Sequence, residues 1–153
     1  MRRVADALCD VALTLWIGGL WTTGLVVAPT LFAELRGNRP LAGTLAGAIF
    51  ELAGWVGLAC ATYLVAFLIY RWRGAALRRG SFWLILVMLL LTAVSLFGIQ
   101  PLLAQLKADA LPREVMESVL RDRFSAWHGI SSLLYVVQSL LGLLLVTTFR
   151  GAR

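Results

Sequence analysis

Four uninterrupted apolar runs decide what this chain can fold into. They extend roughly over residues 7–28, 44–70, 81–106 and 124–149. A helix needs about 20 mainly apolar residues to cross the hydrocarbon of a bilayer. None of the runs alternates apolar with polar residues, and all are far too long for the tilted strands of a membrane barrel. In hydrocarbon each backbone amide must be satisfied within its own segment, so each run is expected to be a helix. The fold class that follows is all-α: a polytopic membrane protein, a four-helix transmembrane bundle in a single membrane domain over 1–153.

Composition supports this. Apolar residues make up 60% of the chain and charged residues 14%, whereas soluble domains average about 45–50% and about 25%. Too little charge is present to cover a surface in water. The net charge of +6 raises the question of nucleic acid, but the basic residues lie in short loops between apolar runs. Such residues set membrane orientation, and no nucleic-acid partner is expected. Cys9 and Cys60 belong to no Cys-x-x-Cys or Cys/His pattern, so neither a disulfide nor a metal site is expected. Met1-Arg2-Arg3 ahead of an apolar run has the look of a secretory leader. Asp6 and Asp10 stand at the front of that run, however, and no small-x-small cleavage site precedes Pro29, so a retained first span is expected.

The loops suggest an orientation. Eight basic residues fall on the side of the termini and six on the other. The tight loop between the second and third runs holds Arg71, Arg73, Arg78 and Arg79 and no acid, whereas the 107–123 linker balances its charges with Asp109, Glu114, Glu117 and Asp122. Both termini are therefore expected in the cytoplasm, with the chain multi-pass in the cell (inner) membrane. Within the linker, Pro112 suits a first helical turn, and Val115, Met116, Val119 and Leu120 recur at helical spacing. That pattern predicts a short amphipathic interfacial helix before the fourth span. Pro101 is expected to kink or end the third. Gly43 and Gly47 open the second with a small-xxx-small face. Such a face packs helices closely, within the bundle or against a second copy or another membrane protein.

Polar residues inside these runs are the candidate site. Glu51 lies about two turns into the second span, Gln100 near the end of the third, and His128, Ser131 and Tyr135 on one face of the fourth. All belong to the outer half, away from the termini. An ionisable group in a membrane span needs a partner or water, so Glu51 and His128 are expected to pair. The same group could line a polar pocket that binds or passes a small molecule or ion. Two alternatives stand beside it: a non-catalytic scaffold or accessory subunit, and a haem- or metal-bearing redox protein ligated at His128. A bis-histidine haem site needs two such ligands and the chain has one histidine, and neither Met88 nor Met116 stands at a spacing that suggests a second axial ligand, so no cofactor is expected. No catalytic motif is present, and no enzymatic activity is expected.

The segments LWIGGLWTTGLVVAPTLFAEL (15–35) and FSAWHGISSLLY (124–135) resemble the transmembrane protein 205-like family. The likeness covers nearly the whole chain. It includes Phe50 early in the second span, Pro101 late in the third, and Phe124, His128, Gly129 and Ser131 opening the fourth. Relatives often carry Asn in the place of Tyr135, and some have a carboxylate beside the proline where this chain has Gln100. The resemblance implies a four-span membrane fold of unknown function.

Overall fold

The computed structural model describes residues 2–110 and 118–149, and these are helical almost throughout. Helix α1 (Arg2–Trp21) runs through a widened turn at Thr22–Val27 into α2 (Ala28–Glu34). Helix α3 (Arg39–Trp72) is followed by a 3-10 turn at Arg73–Arg78. Helix α4 (Gly80–Val94) passes a second widened turn at Ser95–Ile99 into α5 (Gln100–Ala110), and α6 (Ser118–Phe149) completes the chain. Among the described residues four continuous helical stretches are long and apolar enough to cross a membrane: Arg3–Glu34, Arg39–Arg78, Gly80–Leu106 and Asp122–Phe149. They are the four spans of an all-α polytopic bundle. The interfacial helix expected around Pro112 falls mostly outside the described residues.

Sequence signals explain the helix ends. A short turn joins the first two spans, and Asn38 caps α3 by accepting the Leu41 N–H at 3.2 Å, with Pro40 in the first turn. At the other end of α3, Arg73 turns the chain with a positive φ of 47°. The Arg79 guanidinium stacks 3.5 Å from the centre of the Trp72 ring, and Trp83 Nε1 donates to the Leu77 carbonyl at 2.9 Å. These contacts fasten the arginine-rich loop across the ends of the second and third spans.

Of the kink or end expected at Pro101, the end does not occur. Pro29 does not end the first span, and Pro101 does not end the third; both helices continue past them. A proline ring collides with the carbonyl four residues upstream and supplies no N–H. Each clash is relieved by a turn bonded five residues apart. Ala28 N–H donates to the Thr23 carbonyl, and Gln100 N–H to that of Ser95. In both spans the widened turn closes two residues before the proline, and both prolines lie on the exposed face.

Each span packs antiparallel against its neighbour in sequence, and the fourth returns to the first. The second and fourth are thus diagonal to each other. The core is concentrated toward the end that carries the termini. There Cys9, Leu13, Trp16 and Ile17 meet Cys60, Ala61, Leu64 and Leu68, with Phe82, Ile85, Met88, Leu145 and Phe149 closing the other side. Small residues permit the closest approaches. A Cβ on Gly57 would lie 2.8 Å from Trp16 Nε1, and one on Gly142 would lie 3.1 Å from Ile17. Gly43 and Gly47 are half-buried and flank Ala42 and Ala46, which are buried.

Candidate functional site

The fourth span shows where the bundle opens. Gln138, Gly142, Leu145 and Phe149 are buried at four- and three-residue spacing, but from Asp122 to Val137 no residue is buried. One face of α6 is seated against the core from Gln138 onward. Ahead of that point the helix stands less closely covered.

A polar layer lies at the transition. Gln138 Nε2 donates to Thr92 Oγ1 at 2.6 Å and to the Met88 carbonyl at 3.3 Å, and the Thr92 hydroxyl donates to the same carbonyl at 2.8 Å. Trp21 Nε1 donates to the Ser139 carbonyl at 3.3 Å. The Tyr135 hydroxyl donates to the Leu20 carbonyl at 2.6 Å, and its ring meets Phe50 edge-on with centroids 5.7 Å apart. Tyr135 lies so close to Gly24 that a Cβ there would overlap its ring. Phe50 and Tyr135 therefore close the diagonal between the second and fourth spans, and Tyr135 ties the fourth to the first. The Ser139 hydroxyl is buried without a hydrogen-bond partner among the described residues.

The sequence candidates divide into two groups. Ser131, Tyr135 and Gln100 are half-buried, whereas Glu51 and His128 are exposed. Ser131 and Tyr135 are half-buried on the side that continues into the buried Gln138 and Gly142, whereas His128, expected on the same face, is exposed. His128 stacks on Phe124 at 5.8 Å, and its carbonyl accepts from Ser132 Oγ. Among the described residues no ion pair or hydrogen bond joins Glu51 to His128. The expected pair is not formed because both side chains turn outward, whereas Phe50 and Tyr135 on the same two helices meet across the diagonal. Glu51 shares an outward stripe with Trp55, which packs edge-on with Phe97 at 5.5 Å.

Three of these residues share a level. Gly54 faces Leu96, which sets Glu51 level with the region of Gln100; Gln138 faces Thr92, which sets Gln100 level with the region of His128. Glu51 precedes Trp72, and His128 precedes Phe149, by 21 residues, or roughly 32 Å at 1.5 Å per residue. That is about one hydrocarbon thickness. Glu51, Gln100 and His128 therefore lie about that far along the bundle from the arginine-bearing end.

Among the described residues no group of three His, Cys, Asp or Glu side chains is placed to hold a metal ion. Thr92, Trp21 and Phe50, which build the polar layer, were not singled out by sequence as site residues. The signal available for Thr92 was a polar residue in the middle of an apolar run.

Neither a curated protein nor a solved structure shows significant similarity to the chain. A family described as Domain of unknown function (DUF4149) matches residues 11–111. The match takes in most of the first span, the second and third spans, both widened turns with their prolines, and Glu51 and Gln100, and the chain therefore belongs to the DUF4149 family.

Proposed function

We propose that this chain is a non-enzymatic multi-pass protein of the cell membrane, with cytoplasmic termini, that binds a small polar molecule or ion in the outer half of its bundle. The observation that carries the reading is the absence of any buried residue from Asp122 to Val137, in contrast to the packed face that begins at Gln138. The half-buried Gln100, Ser131 and Tyr135 supply an amide and two hydroxyls to that half, and Glu51 and His128 supply ionisable groups at its rim. Trp16, Ile17, Ile85, Met88 and Leu145 fill the inner half, which favours binding over passage. The motif Phe124, His128, Gly129 and Ser131 supports a place within the transmembrane protein 205-like branch.

The test is access from outside. In a chain with Cys9 and Cys60 replaced by alanine, Ser131→Cys is expected to react with a membrane-impermeant maleimide applied to the outer face. Met88→Cys, at a fully buried position, is expected to resist. Protection of Ser131→Cys from the outer reagent would remove the reading.

A second reading has its own observation. The exposed stripe of Glu51, Trp55 and Phe97 supports an accessory subunit whose second and third spans face another membrane protein. An ionisable group on a lipid-facing helix gains from a partner at that level.

A further inference from the structure

At the opposite end, a groove of about 630 Å³ opens between the third and fourth spans. That volume falls within the roughly 300–1,000 Å³ typical of ligand sites. Its walls are Trp83, Leu84 and Val87 on one side and Leu141 and Leu144 on the other. Arg79 stands at its mouth with Ser81 and Thr148. The lining is therefore apolar along its length and cationic at one end. From Arg79 to Val87 the groove follows two turns of helix, roughly 12 Å, directed from the membrane surface toward the bilayer centre.

This pattern has the polarity of a lipid. We propose that the groove holds an anionic phospholipid, with the phosphate against Arg79 and an acyl chain laid along Trp83, Val87, Leu141 and Leu144. Charge selects the headgroup. Residues 71–80 contain Arg71, Arg73, Arg78 and Arg79 and no acidic residue, and basic pockets between spans on the cytoplasmic side are suited to anionic headgroups. Arg79 is held in place by its stack on Trp72, so its guanidinium is positioned before the lipid arrives. Trp83 is 53% exposed, and its ring forms a flat wall beside the chain. The groove lies at the far end of the bundle from Ser131 and Tyr135, and it shares with the outer-half reading only the cytoplasmic placing of the termini.

The experiment is native mass spectrometry of the full chain released from nanodiscs made of equal parts phosphatidylglycerol and phosphatidylcholine. Wild type is expected to retain phosphatidylglycerol in preference. Arg79→Gln should lower that retention about tenfold, and Arg79→Lys should keep most of it. Arg78→Gln changes an exposed neighbouring charge outside the groove and should leave retention unchanged. Leu144→Trp narrows the apolar half and should reduce retention while Arg79 is intact, which keeps the test decisive if Arg79→Gln does not fold. Equal retention of the two lipids, or no loss in either Arg79→Gln or Leu144→Trp, would overturn the proposal. Displacement of the lipid by inorganic phosphate at millimolar concentration would overturn it too, since it would reduce the groove to a site for free anions.

Discussion

The Tyr135 hydroxyl donates a 2.6 Å hydrogen bond to the Leu20 carbonyl, at the last α-helical turn before the first span widens. One side chain thus links the fourth span to the first just where the fourth loses its close cover. Tyr135→Phe keeps the ring against Phe50 and removes only the hydroxyl. It is expected to cost about 0.5–1.5 kcal/mol, read as an earlier midpoint when the protein is unfolded by denaturing detergent. An unchanged midpoint would show that the bond contributes nothing net.

Glycines separate close packing from mere helix composition. Gly57→Ala places a methyl against the Trp16 indole, and overpacking of this kind costs about 1–3 kcal/mol. At Gly18 a Cβ meets no atom within 4 Å. Gly18→Ala is therefore expected to stabilise by roughly 0.5–1 kcal/mol, the usual gain for replacing glycine inside a helix. The two substitutions should move the unfolding midpoint in opposite directions. A shift of the same sign for both would contradict the described packing.

Two pairs of polar residues should behave oppositely in double-mutant cycles. Gln138 and Thr92 are bonded at 2.6 Å, so Gln138→Leu with Thr92→Val should show coupling of about 0.5–2 kcal/mol. Glu51 and His128 face away from each other. Glu51→Gln with His128→Gln should be additive within about 0.3–0.5 kcal/mol. Strong coupling of the second pair would restore the ion pair expected from sequence.

Orientation is checked at two exposed loop positions, Gly37 and Ala75. In a chain without native cysteines, Gly37→Cys should react with an impermeant reagent from outside the cell. Ala75→Cys should react only after permeabilisation. The reverse pattern would place the arginine-rich loop outside and invert the assignment of the outer half.

Much of the fold was legible in the sequence because the bilayer imposes a length and a composition that no other architecture satisfies. The four spans and their order followed from that, although the helix of the second span begins at Arg39, ahead of the expected start at residue 44. Neither proline ended its helix, because a helix can absorb the lost donor by widening one turn, a choice that depends on neighbouring packing. The site was half legible. Spacing put His128, Ser131 and Tyr135 on one face of the fourth span, and of these His128 is exposed while Ser131 and Tyr135 are half-buried. Glu51 and His128 were paired on chemistry and depth alone. Depth is readable from the distance along a helix, but direction about the axis depends on which spans are adjacent. Phe50 and Tyr135 meet across the same two helices, but Glu51 and His128 lie on their exposed faces.

Each widened turn holds one residue more than an α-helical turn would. One residue corresponds to about 100° of rotation about the axis. Beyond Val27 and Ile99, the outer segments of the first and third spans are therefore out of phase with the helices they continue. A stripe that faces the core in α1 or α4 does not run straight on into α2 or α5. Deleting a single residue from either turn would bring the stripes back into phase and swing every side chain beyond it onto a different face, with no change in the inner half. Each of these spans is thus two screws joined in sequence, and a change of length at the joint acts as a dial for what the outer half presents.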